Sequence, residues 1–182
     1  MRELSLNMLD IAQNSVAAGA ALIQLDVEED TAADRLTLRV TDNGRGMTAE
    51  QVEKVRDPFY TTRTTRPVGM GIPLFRMAAE ATGGTLDIQS APGQGTVVTA
   101  TFGLSHIDRL PLGDMGGTAA TLIRMNPQLD FIYRHTADGR AFTVDTRELR
   151  AVLGEVPLDD PDVAAWIDGY IHEQDAAVAG SA

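Results

Sequence analysis

The feature that most constrains this chain is a clean alternation, with Leu36, Leu38 and Val40 on one face of residues 35–41, running straight into Asp42-Asn43-Gly44-Arg45-Gly46. Period-two alternation marks a strand with one face buried. Two glycines in the next five residues mark a tight turn. The segment therefore sets a carboxylate at the end of a strand, beside backbone with little side-chain bulk around it. The strand's apolar face must be covered, and the rest of the chain supplies the cover.

Residues 3–18 read as a helix, with Leu4, Met8, Ile11 and Ser15 on one stripe and Gly19 as its stop. Residues 21–28 read as a strand. Thr48 followed by Gln51 forms a capping-box pattern for a short helix to Val55. Residues 57–71 form a loop rich in Thr, Arg and Gly, and residues 72–81 a helix with Pro73 in its first turn. Residues 85–89 and 96–102 are strands joined through Pro92-Gly93-Gln94-Gly95. The order predicts an α+β two-layer sandwich with a mixed, mostly antiparallel sheet and helices on one face. Composition shifts over residues 104–117. Beyond it, Asp138-Gly139 predicts a hairpin between residues 130–135 and 141–145. Helices are expected at 147–153 and 162–174, with the tail from Ala176 frayed. Val163, Trp166, Ile167 and Ile171 fall at helical spacing and read as packing. The expected organisation is one domain over 1–104 and a small α/β extension over 105–182.

Charge and composition remove several classes of function. Against 26 acidic residues stand 15 basic ones, giving a net charge of −11. Such a mean field repels phosphate backbones, so neither nucleic acid nor an anionic membrane is an expected partner. A single nucleotide remains possible, because its site is built locally. Lys54 is the only lysine, which argues against a site needing a phosphate-gripping lysine. There is no cysteine, so disulfides, thiolate catalysis and zinc–thiolate sites are out. His106, His135 and His172 are too widely spaced to suggest a zinc set. No apolar run approaches the roughly 18 residues of a membrane span, and the N-terminus lacks a signal-peptide core. A cytoplasmic location is the expectation.

Four local patterns could carry chemistry. Asp10 and Asn14 lie one turn apart on the first helix, with Asn7 on nearly the same side. A carboxylate and an amide so placed could orient a water and lend one oxygen to Mg²⁺, an ion that takes its other ligands from phosphates and waters. Taken alone, the pair is a polar helix edge. Asp42, ahead of Gly44 and Gly46, could accept from an exocyclic amine such as adenine N6, and would then reject bases lacking it. Taken alone, this is a plain turn. Gly69-Met70-Gly71-Ile72 opens a helix and could turn backbone N–H groups toward an anion. The preceding Thr61-Thr62-Arg63-Thr64-Thr65-Arg66 adds hydroxyls and two guanidiniums. It is neither a dinucleotide fingerprint nor a Walker A loop. Gly95-Thr96 could place a hydroxyl beside Asp42.

Together, in this order over about ninety residues, these segments resemble the boxes of the GHKL ATPase superfamily, with its Bergerat nucleotide-binding fold. Residues 10–15 look like the N box, Asp42 to Met47 the first glycine box, and residues 57–62 the phenylalanine box of histidine kinases. Gly69 to Ile72 look like the second glycine box, and Gly93 to Thr96 the last. The resemblance implies ATP and Mg²⁺ as cofactors. Asn14 would bind the metal and the phosphates, and Asp42 adenine N6 with Thr96 in support. Gly44, Gly46 and Met47 would shape the base pocket. Thr61, Thr62, Arg63, Gly69, Met70, Gly71 and Ile72 would meet the phosphates under a lid. Asp10 stands where hydrolytic members carry the water-activating carboxylate, usually Glu. No helical hairpin with a phosphoacceptor histidine stands before the N box, so a stand-alone ATP-binding protein is expected, and His106 reads as structural. Two functions follow from the resemblance. One is phosphoryl transfer from Mg·ATP to water or to a partner protein. The alternative is a nucleotide-responsive regulatory module, anti-sigma-like, with negligible turnover.

Overall fold

The computed structural model describes residues 3–57 and 71–180. The elements are α1 (Leu4–Ala17), β1 (Leu22–Asp30), β2 (Arg35–Asp42), α2 (Ala49–Val55), α3 (Gly71–Glu80), β3 (Leu86–Ser90), β4 (Thr96–Gly103), α4 (Met115–Met125), β5 (Asp130–Ala137), β6 (Arg140–Asp145), α5 (Thr146–Leu153) and α6 (Pro161–Ala179). Six strands form one sheet in the order β3-β4-β2-β1-β5-β6. All neighbours pair antiparallel except β1 and β5, which run parallel. The fold is the expected α+β sandwich on a mixed sheet.

Register explains why one face is covered. Leu25 pairs with Val40, which pairs with Val98, and on the other side Leu25 pairs with Tyr133. Adjacent strands thus put their apolar positions on the same side, and α1, α3, α4 and α6 lie over them. Met8, Ile11, Phe75 and Leu122 from the helices join Leu25, Leu38, Phe102 and Phe131 in one core. The opposite face carries Gln24, Asp26, Arg39, Thr99 and Arg134, joined in part by bonds such as Arg134 Nε to Asp26 Oδ1 at 2.9 Å. Alternation along each strand therefore sorts the chain into a dry layer and a wet one.

The sheet does not stop at residue 104. The predicted hairpin about Asp138-Gly139 forms, with φ of +49° and +85° at the two turn residues. It adds β5 directly to β1, so residues 130–145 extend the same sheet and share its core. The sequence pattern gives no sign of α4, because Gly116 and Gly117 sit in its first turn. It forms because Ala119, Leu122 and Ile123 are buried between α1, β5 and α6. Gly116 lets α6 approach, since a Cβ there would come within 2.8 Å of the Ile171 side chain. The backbone N–H groups of Leu4 and Ser5 donate to the carbonyls of Pro111 and Leu112, tying the start of α1 to this later segment.

Two further expectations change. Residues 176–179 are not frayed, since α6 runs to Ala179, Val178 is buried, and Arg140 Nε donates to the Val178 carbonyl at 2.8 Å; residues 181–182 lie outside the described residues. Ile167 and Ile171 are core residues as expected, but Trp166 is 56% exposed. The stripe is one residue narrower than its spacing suggests.

Candidate functional site

Asp42 ends β2 and pairs across the sheet with Thr96, the first residue of β4. Its carboxylate is held at both oxygens. Gly44 N–H donates to Oδ1 at 2.9 Å, and the Ser15 hydroxyl donates to Oδ2 at 2.5 Å. Each oxygen keeps a further lone pair, so the group can still accept from a ligand. Ser15 adjoins Asn14 on α1, so this one bond joins the strand end to the helix that carries Asp10 and Asn14.

The loop after Asp42 is fastened on all sides. Asn43 Oδ1 accepts from Ala21 and Leu22 N–H at 2.8 and 2.9 Å. Arg45 N–H donates to the Ala18 carbonyl at 3.0 Å, and Gly93 N–H donates to the Arg45 carbonyl at 2.7 Å. Met47 N–H donates to the Ser90 hydroxyl at 2.8 Å, and that hydroxyl also meets Thr96 Oγ1 at 2.8 Å and the Gly95 carbonyl at 2.9 Å. Gly46 and Gly95 have φ of +71° and +79°, and a Cβ on either would overlap backbone, the Ala91 carbonyl in one case and the Asp42 carbonyl in the other. Only glycine satisfies both the left-handed conformation and the close approach. Gly44 is buried, and a Cβ there would come within 2.9 Å of the Ala18 carbonyl.

Asn14 is exposed and Asp10 half-buried on α1. Burial pushes the Asp10 carboxyl above the ordinary carboxylate range. Gly71 opens α3 next to Asp10, at a spacing where an added Cβ would lie 3.5 Å from the Asp10 Cβ. Ile72, one residue on, is buried in the core. The structure thus brings Asp10, Asn14, Asp42, Gly44, Gly46, Met47, Gly71, Ile72 and Thr96 into one region. Thr61, Thr62, Arg63, Gly69 and Met70 lie outside the described residues. Asn7, grouped by spacing with Asp10, is 1% exposed, and its Oδ1 is buried without a hydrogen-bond partner among the described residues, so it faces the interior.

Sequence reasoning placed Ser15 on the apolar stripe and passed over Asn43 and Ser90. A hydroxyl on a buried stripe must find a partner, and that was the available signal for Ser15. Ser90 carries no such signal, because its three partners come from two separate segments, the loop after β2 and the start of β4. Among the described residues no cluster of three or more His, Asp or Glu could hold a metal.

Residues 1–106 match the family described as histidine kinase-, DNA gyrase B- and HSP90-like ATPases. The chain belongs to this family. It therefore carries an ATP-binding domain of the GHKL type. The Non-motile and phage-resistance protein of Caulobacter vibrioides is 29% identical over 115 residues, 60% of this chain and 14% of that one. Sensor histidine kinase ZraS of Klebsiella oxytoca is 38% identical over 65 residues, 36% of this chain and 14% of that one. Sensor protein kinase FleS of Pseudomonas aeruginosa is 36% identical over 92 residues, 50% of this chain and 23% of that one. The chain thus spans less than a quarter of the length of these curated relatives. The crystal structure of the N-terminal domain of a DNA repair protein superposes with a TM-score of 0.57 at 13% identity, covering 85% of this chain and 58% of that one. At that identity the likeness is one of fold. No helix among the described residues is long and apolar enough to cross a membrane.

Proposed function

We propose that the chain binds Mg·ATP between α1, the Asp42–Met47 loop and the start of α3, and transfers the γ-phosphoryl group to water or to a partner protein. The observation that carries this reading is the Ser15–Asp42 hydrogen bond, 2.5 Å long. It sets the strand-end carboxylate beside the face of α1 that bears Asn14 and Asp10. Asp42 accepts from the adenine amine while Ser15 and Gly44 keep it oriented, and Thr96 flanks it across the sheet. Gly46 and Gly95 hold the loop flat against the β3–β4 turn, and Met47 borders the base.

Asn14 would hold the magnesium ion by its amide oxygen, together with the phosphates. When bound, the ion neutralises charge on the transferring group. The start of α3 offers backbone N–H groups to the phosphates. Asp10, its carboxyl raised by burial, is the base that takes a proton from the attacking water or hydroxyl. The reaction rests mainly on positioning and charge neutralisation, which this set of groups supplies.

The test is incubation with γ-labelled ATP and Mg²⁺, for the wild type and for Asp10→Asn. Free phosphate or labelled protein that disappears in Asp10→Asn supports the reading. Turnover unchanged in Asp10→Asn removes that carboxylate from the mechanism. Binding without any turnover favours the regulatory module. Equal affinity for ATP and GTP, or affinity unaffected by Asp42→Asn, refutes the adenine assignment.

A further inference from the structure

Asp42, Thr96 and Ser90 form one row across the ends of three strands. Asp42 of β2 pairs with Thr96 of β4, and Thr96 pairs on its other side with Ser90 of β3. Residues paired in antiparallel strands put their side chains on the same face. Here it is the face of Val40, Val98 and Ile88, two residues back along each strand, which the helices cover. Thr96 therefore stands between Asp42 and Ser90, beside the carboxylate proposed to meet the purine.

Counting the hydroxyl protons of Ser15, Ser90 and Thr96 fixes the direction of each bond, since a hydroxyl has one proton and two lone pairs. Ser90 Oγ lies 2.9 Å from the Gly95 carbonyl, which can only accept, so the Ser90 proton goes there. Met47 N–H donates to the same hydroxyl oxygen at 2.8 Å. Thr96 Oγ1, 2.8 Å from Ser90 Oγ, must then supply the proton of that bond. Ser90 Oγ is saturated, with one proton given and two received. Ser15 gives its own proton to Asp42. The N–H groups of Gly44, Arg45 and Met47 are likewise engaged, with Asp42, the Ala18 carbonyl and Ser90. Thr96 Oγ1 is left with two lone pairs and no proton to offer a ligand.

We infer that Ser90 sets the base preference of this site: by taking the Thr96 proton it makes the row accept only, so that a purine with an amine at its six-position is received and one with an oxo group there is refused. The inference rests on the adenine reading above and adds to it a positioning residue that acts through Thr96. Asp42 alone is a weak filter. A 6-oxo purine can donate its N1–H to the carboxylate while a free threonine hydroxyl donates to the oxo oxygen. With the Thr96 proton directed at Ser90, that oxygen faces lone pairs and stays unpaired.

Inosine triphosphate (ITP) is the probe, because its base differs from that of ATP by an oxo group at the six-position and a hydrogen on N1. ATP and ITP, each with Mg²⁺, displace a fluorescent ATP analogue from the protein. Wild type is expected to bind ATP at least about a hundredfold tighter than ITP. Ser90→Ala returns the proton to Thr96, so ITP gains on ATP and the ratio narrows about tenfold. Ser90→Thr keeps a hydroxyl and restores the wild-type ratio. The narrowing needs the Thr96 hydroxyl, so adding Ser90→Ala to Thr96→Val leaves the ratio where Thr96→Val alone sets it. Circular dichroism melts confirm that the variants fold. An unchanged ratio in Ser90→Ala, even with both affinities lowered, makes Ser90 a structural residue and overturns the inference, as does the same narrowing in the Thr96→Val background. Both results leave the adenine reading standing. Equal affinity of wild type for ATP and ITP overturns the two together.

Discussion

Gly46 and Gly93 offer a matched pair for testing how the candidate nucleotide loop is held. Their φ values are +71° and +76°. A Cβ on Gly46 would overlap the Ala91 carbonyl, whereas one on Gly93 would meet nothing within 4 Å among the described residues. Gly93→Ala therefore costs only the left-handed conformation, about 1–2 kcal/mol. Gly46→Ala costs the same and adds overpacking against backbone that has no side chain to yield, about 1–3 kcal/mol more. For a chain of this length 1 kcal/mol moves Tm by roughly 2–4 °C, so the two variants should differ by about 2–12 °C, with Gly46→Ala the lower. Differential scanning calorimetry measures that difference. A fluorescent ATP analogue supplies the functional readout. Gly46→Ala must push apart the Asp42–Met47 loop and the β3–β4 turn, and should lose most of its affinity, while Gly93→Ala keeps it. Equal Tm losses would show that the close approach at Gly46 is not a real constraint. Full ATP affinity in Gly46→Ala would detach the loop from the nucleotide site.

Other consequences can be checked on the same protein. Ser15→Ala removes the hydroxyl that donates to Asp42, a bond to a charged group worth about 1.5–3 kcal/mol; denaturant melts should show that loss and ATP binding should weaken, whereas unchanged affinity would separate Ser15 from the site. Because burial raises the Asp10 carboxyl, its ionised form is disfavoured in the folded state at neutral pH and the penalty is absent once the group is protonated. Asp10→Asn should therefore gain a little stability near pH 7, under about 1 kcal/mol, and less near pH 4, where the penalty is fading, while turnover falls; a gain of equal size at both values would exclude the ionisation as its source. Burial of His135 alone would lower its pKa, but hydrogen bonds at 2.8 Å to Asp175 and to Glu29 outweigh it and push the imidazolium up to about 9. The stabilisation is full below the ordinary histidine range and is lost as pH rises through about 9. Melts between pH 6 and 10 should fall through that window in wild type and lose the slope in His135→Gln; parallel curves would refute the clamp.

What can be read without coordinates is local. The alternation of β1, β2 and β4, the capping box at Thr48 and Gln51, the Asp138-Gly139 turn and the positive-φ glycines each depend on neighbours a few residues away, where the physics is sterics and short hydrogen bonds. For the same reason the order of the boxes, and with it the family, is legible along residues 10–96. The rest depends on partners far along the chain. Helix α4 has weak propensity of its own and exists because α1, β5 and α6 bury it. The Ser15–Asp42 bond spans 27 residues, and Ser90 joins the loop after β2 to the β3–β4 turn. The parallel pairing of β1 with β5 makes residues 130–145 part of the sheet, although composition alone sets them apart. Trp166 lies about 100° round α6 from Ile167, and the packing of α6 on α4, β5 and β6 buries Ile167 and Ile171 and leaves Trp166 facing water. Period determines which residues can share a face; the packing of whole elements determines which face is inside.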